Sequence, residues 1–149
     1  MNEEKYDEFV KQLEDKHPEM FSQPYGGVCV DEGWWKIIRV LCAQIDSYMK
    51  WRNSTRAALL KDNPYGHKIP DEVEQVVVMQ IKEKFGGLRF YYSGGDMFIR
   101  GLVTMAEEWA HVTCEKCGNP GHYSRSGGWI KVLCDEHEAE RQKRLNGVQ

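Results

Sequence analysis

Four residues, Cys114, Cys117, Cys134 and His137, follow the spacing C-x2-C-x16-C-x2-H. Each short pair fits one tight turn, and the two pairs meet only if the sixteen residues between them fold back on themselves. In that interval "HYSRSGGWIKVL" reads as a strand, a Ser-Gly-Gly turn and a second strand, and the second pair opens a helix, "CDEHEAERQKRL". Knuckle, hairpin and helix in this order predict a treble-clef zinc finger over residues 113–149. Gly118, directly after Cys117, suits the positive φ at which a knuckle turns. Four protein ligands close the coordination sphere, so Zn2+ reads as structural here, whereas catalytic zinc keeps a position for water.

Five cysteines are an odd number, and in a reducing compartment the spacing favours zinc ligation over a disulfide framework. Cys29 and Cys42 are left over and are expected to be small buried hydrophobes. With 41% hydrophobic and 29% charged residues the composition is globular. No apolar run approaches the roughly 18 residues of a membrane span, and "MNEEKYDEF" is acidic where a secretory signal is basic and then apolar, so a cytoplasmic location and no membrane partner are expected. A net charge of −3 argues against nucleic-acid binding over the whole surface.

Ahead of the finger, residues 1–112 read as an α+β domain of helices with a β-hairpin. Tyr6, Phe9, Val10 and Leu13 form one stripe of a helix over 3–16, and "PEMFSQPYGG" is a loop. Asp31 is a candidate N-cap for a helix through about Arg52. Trp34 and Trp35 point about 100° apart on that helix, so both share a broad core face or one lines a surface groove. Residues 53–70 read as a long connection with a short helical patch, holding a solvated His67. For residues 71–85 two patterns compete. "QVVVMQIKEKFGGLRFYYSGG" reads as a hairpin turning around Phe85, Gly86 and Gly87, while "PDEVEQVVVMQIKEK" also reads as a helix stopped by Gly86. Asp96 caps a further helix that delivers the chain into Cys114, so the finger is expected to pack on the rest.

If the hairpin forms, Lys82 and Lys84 share one face of it and Arg89 and Tyr91 share a face of the return strand; the register decides whether the two coincide. Together they make a cationic patch with an aromatic member, suited to a phosphate, a nucleotide or an acidic protein surface. An ordinary solvated sheet face is the plain alternative. His122, with the finger helix's Asp135, Glu136, Glu138 and Glu140, raises an HNH-like metal-dependent nuclease, although acids at a helix N-terminus are expected from the macrodipole anyway. His122 and His111 are also spare zinc ligands or polar surface.

"GWWKIIRVLCAQI", "VMQIKEKFGGLRFYYSGG" and "CEKCGNPG…SGGWIKVLCDEH" resemble a family of small, functionally uncharacterised proteins found in phages, prophages and bacteria. The resemblance spans about residues 25–138 and leaves out the first helix. It implies a Gly-Trp helix, a K-E-K-F-G-x-L-R-F-Y element and a treble-clef-like finger with the ligands named above, and it implies no activity. It singles out Gly33, Trp34, Lys82, Lys84, Phe85, Gly86, Arg89 and Tyr91 as a set. The expected function is a non-enzymatic accessory protein of phage origin that uses Trp34, Lys82, Lys84, Phe85, Arg89 and Tyr91 to bind a host protein or nucleic acid in the host cytoplasm, in interference with host machinery or defence. Rival readings are a nucleic-acid binder using the hairpin and the basic "RQKR", a small-nucleotide binder, and the nuclease.

Overall fold

The competition over residues 71–85 resolves in favour of the hairpin: Val77–Lys84 is strand, and residues 71–76 ahead of it are neither helix nor strand. A computed structural model, which describes residues 2–147, contains α1 (Glu3–Lys16), β1 (Val28–Cys29), a 3-10 turn (Glu32–Trp34), α2 (Trp35–Lys61), β2 (Val77–Lys84), β3 (Gly87–Ser93), α3 (Met97–Ala110), β4 (His122–Ser124), β5 (Lys131–Leu133) and α4 (Asp135–Leu145). The fold is α+β. No helix among the described residues is long and apolar enough to cross a membrane.

The valine run wins as strand because Val76, Val78 and Ile81 are all buried with Leu88 and Phe90 of the return strand. β2 and β3 pair antiparallel through a two-residue turn, Phe85 and Gly86, both with positive φ (52° and 78°), whose twist matches that of the strands. Glu83 Oε1 accepts from Gly86 N at 2.7 Å and pins that turn. β1 lies parallel to β2 on its other side, with Val28 opposite Ile81 and Cys29 opposite Lys82. The outer edge of β3 is covered by α3, whose Glu107 accepts from Phe90 N at 3.1 Å.

Asn2 caps α1 by accepting from Lys5 N, and the helix buries Phe9 and Leu13. Phe9 stacks on Trp35 of α2, ring centroids 4.5 Å apart. Three expectations need correction here. α2 runs on to Lys61, because "STRAALLK" consists largely of good helix formers and the first breaker is the Asp-Asn-Pro that follows. Asp31 does not cap α2: it precedes the 3-10 turn, makes no capping bond and pairs instead with Lys116 at 2.9 Å. Cys29 is exposed, since its place in β1 turns it to the solvent face beside Lys82, whereas Cys42 is buried and its thiol is pushed up to about 12 by that burial. Both tryptophans lie in the core.

His17, at the end of α1, donates from Nδ1 to Asp46 Oδ2 of α2 at 3.0 Å, and Lys50 Nζ reaches the same oxygen at 3.0 Å. Burial pushes the Asp46 carboxyl up, but the bonds from Lys50 and His17 outweigh it and hold the group below its usual value. A carboxylate depressed in this way stabilises the fold above its unfolded pKa, near ~4, and that contribution is lost as pH falls through the lower folded value. Asp46→Asn is therefore expected to lower stability by about 1–2 kcal/mol at neutral pH. Thermal melts down to pH 2 should show the wild type converging on the variant in acid.

Candidate metal centre and the surface it supports

The knuckle "TCEKCGNPG" is built by backbone bonds. Gly118 N donates to Cys114 O at 2.9 Å, with Gly118 at φ +83°, and Cys114 N donates to Asn119 O at 2.7 Å. β4 and β5 pair antiparallel, with Tyr123 opposite Val132, and Cys134 then sits at the N-cap of α4 so that His137 lies one turn along. Ser126, Gly127 and Gly128 make the turn between the strands. Arg141 is buried under that turn and donates to Ser124 Oγ at 3.0 Å and to the carbonyls of Ser126 and Trp129. It therefore does not belong to a free basic end, and "RQKR" contributes only Lys143 and Arg144 as exposed cations.

The four ligand atoms lie within 4.8 Å of one another. Cys117 Sγ is 3.8 Å from Cys134 Sγ, and His137 Nδ1 is 3.5 Å from Cys114 Sγ and 3.2 Å from Cys134 Sγ. A tetrahedral zinc with ordinary bond lengths sets sulfurs about 3.8 Å apart and a sulfur about 3.6 Å from a nitrogen, so the residues fit the ion. Burial pushes the Cys114 thiol up, yet backbone N–H groups of Cys134, Cys117 and Lys116 outweigh it and hold it below its usual value. Cys117 is pushed up to about 11, by partial burial of its sulfur and then by Cys114 and Cys134 beside it. Three sulfurs this close do not all ionise without a cation among them.

Residues 112–126 match the zinc-knuckle (CCHC) family model. Neither a curated protein nor a solved structure matches the chain. The centre is a structural zinc site. From here the zinc finger departs from the family whose model it matches. The matched stretch contains Cys114, Cys117 and His122 but no further cysteine, and the geometry completes the site with Cys134 and His137 instead. His122 is exposed on β4, its Nε2 3.7 Å from Asp135 Oδ1. Among the described residues the four zinc ligands are the one group of three or more His, Cys, Asp or Glu side chains placed to share a metal ion.

The finger is clamped to the rest by the Gly-Trp pair. Gly33 N donates to Glu115 O at 3.0 Å and Trp34 Nε1 donates to Thr113 O at 2.9 Å, so consecutive residues hold both sides of Cys114. A Cβ on Gly33 would overlap Cys114 O and lie 2.6 Å from Glu115 C. This is why the position is glycine. Trp34 is fully buried, and as a strut beneath the knuckle its ring does not reach a partner; the expectation that it lines a recognition groove is corrected accordingly. Glu115 is buried beside the clamp and accepts from Lys131 Nζ at 2.5 Å, while burial pushes its carboxyl up against that pull. Val132 of β5 belongs to the main hydrophobic core, and a Cβ on Gly86 would press on Ile130 at 2.7 Å, so the hairpin tip also touches the finger.

On the opposite face of the hairpin the register settles the sequence question. Lys82 lies directly across from Arg89, Lys84 from Gly87 and Tyr91 from Gln80, all on the side away from Ile81 and Phe90. Lys82 Nζ sits 5.7 Å from the centre of the Tyr91 ring and Lys84 Nζ 5.9 Å from that of Phe85. Phe85 is 74% exposed although it occupies a left-handed turn position that bulky residues avoid. Two residues extend this face: His111, which the sequence offered only as a spare zinc ligand or polar surface and which lies outside the ligand cluster, and Tyr123, which the sequence did not single out. A Cβ on Gly87 would lie 3.2 Å from Arg89 Nη1 and 3.3 Å from His111 Nε2, and the His111 ring is 5.6 Å from that of Tyr123 on the finger. Their separation in the sequence hides this proximity, since only folding brings the end of α3 and β4 beside the hairpin.

Proposed function

We propose that the protein is a non-enzymatic binding protein that takes a single-stranded nucleic acid on the outer face of its hairpin, with zinc fixing the frame. The observation that carries this reading is the alignment of Lys82, Lys84 and Arg89 on one face with Tyr91 among them and Phe85 held out at a strained turn. Cations at this spacing neutralise successive phosphates, and exposed aromatic rings offer stacking platforms to bases of any sequence. The cationic face is local, which suits a chain of net charge −3. In this reading residues 113–149 act as a treble-clef module docked on a 1–112 domain. With the resemblance to phage and prophage proteins, the target is a host macromolecule in the host cytoplasm, and interference with host machinery or defence is the role assigned. A second reading, an acidic surface on a host protein, rests on the same cations, since a carboxylate and a phosphate make similar demands of Lys and Arg.

Fluorescence anisotropy with labelled single-stranded DNA and RNA tests the proposal. With three phosphate contacts, affinity should fall roughly 20-fold between 50 and 200 mM salt. Lys84→Glu combined with Arg89→Glu should abolish the binding, and Phe85→Ala should weaken it by about 1–3 kcal/mol. Oligonucleotides incubated with Mg2+ or Mn2+ and the wild-type protein should remain uncut. Absence of binding, or binding indifferent to the double variant, overturns the nucleic-acid reading. Recovery of a host protein by the wild type and not by the double variant would then support the second.

A further inference from the structure

α3 is apolar on two sides. At 100° per residue Ile99, Val103, Ala106 and Ala110 fall on one arc and are buried in the core. Phe98, Leu102, Met105 and Trp109 fall on another arc, with steps of four, three and four residues, and Val112 follows three residues later in the turn after the helix. That alternation is the spacing of a helix-pairing seam. Phe98 is 54%, Met105 70%, Trp109 38% and Val112 61% exposed, and Leu102 is partly buried. The seam is widened on the α2 side, where Tyr48 stacks on Phe98 at 4.3 Å and lies 6.1 Å from the exposed Trp51. Single exposed apolar residues are ordinary, but a continuous stripe along one helix marks an interaction surface.

We propose that this face pairs with the same face of a second copy of the chain, α3 against α3 in antiparallel orientation about a two-fold axis at Met105. Met105 is the midpoint of the stripe, so the axis sets Met105 on its own counterpart, Leu102 on Trp109 and Phe98 on Val112. In the two flanking layers a large aromatic ring meets a smaller aliphatic side chain, which fills the space between the helices without crowding it. At roughly 200 Å2 per large side chain, the exposed fractions of Phe98, Met105, Trp109, Val112 and Trp51 give about 560 Å2 of apolar surface per copy, most of the ~800 Å2 that each partner contributes to a stable interface. The stripe shares no residue with the hairpin face, so variants at Met105 and at Lys84 with Arg89 test dimerisation and ligand binding separately.

Sedimentation equilibrium of the full zinc-loaded chain over roughly 5–200 µM tests this by mass action. The wild type should pass from monomer to dimer within that range. Met105→Glu should remain monomeric throughout, with unchanged zinc content and far-ultraviolet circular dichroism, because the axis would bring two carboxylates together. In a Cys29→Ser background, Met105→Cys should form an intermolecular disulfide under mild oxidation and Val112→Cys should not. A wild type that stays monomeric, or a dimer unaffected by Met105→Glu, overturns the interface. Linking through both cysteine positions overturns its antiparallel arrangement.

Discussion

Stripping the zinc ion with a strong chelator lowers the thermal midpoint by about 15 °C, corresponding to roughly 5 kcal/mol for a chain of this length. The effect extends beyond the finger. Without the ion, three neighbouring sulfurs and His137 have nothing to converge on, and the backbone between Thr113 and Glu115 loses the shape that Gly33 and Trp34 grip. Val132, part of the main core, goes with it. Trp34 fluorescence should therefore shift to longer wavelength on chelation even though Trp34 ligates nothing, and restoring zinc should reverse the shift. Cys134→Ser should reproduce the loss and resist rescue by zinc. A chelated protein that melts within a few degrees of the zinc-loaded one would show that the clamp holds without the ion.

Gly33→Ala, a single methyl group, should destabilise the protein by about 3 kcal/mol, at the upper end of the usual range for overpacking. The added carbon would meet the carbonyl of Cys114 and the peptide carbon of Glu115, both main-chain atoms held in place by the metal, so no flexible side chain can move aside. Relief comes only by pulling the knuckle away from α2, which breaks the bonds from Gly33 N to Glu115 O and from Trp34 Nε1 to Thr113 O. Zinc should leave faster as well, and transfer to a chromophoric chelator would measure this beside the melting curve. A variant with wild-type melting and wild-type zinc release would mean that Gly33 is not the contact that seats the finger.

The zinc ligands were legible in the sequence because two short pairs of ligand residues carry their meaning in local spacing. The hairpin was legible only in part. Its composition favoured strands, but a helix pattern fitted the same residues until the burial of Val76, Val78 and Ile81 decided between them. Its register, which places Lys82 opposite Arg89, depends on the turn at Phe85 and Gly86, and a one-residue slip would have sent the cations to the core side. Trp34 was singled out for the wrong reason. A tryptophan beside a glycine at the start of a helix reads equally as a recognition residue or a strut, and the bond that decides it spans 79 positions. Arg141 illustrates the same limit: charge patterning grouped it with a basic tail, whereas the fold uses its planar donors to fasten the β4–β5 turn to α4. Cys29 faces solvent because a two-residue strand has one side in the core and one outside, and sequence alone does not say which.

X-ray absorption at the zinc edge, on protein whose metal content has been determined by elemental analysis, addresses the closed centre most directly. One zinc per chain with three sulfurs near ~2.3 Å and one nitrogen near ~2.0 Å is the expected shell, unchanged by His122→Ala. A shell containing an oxygen from water, or a purified chain that is folded and free of metal, would contradict it.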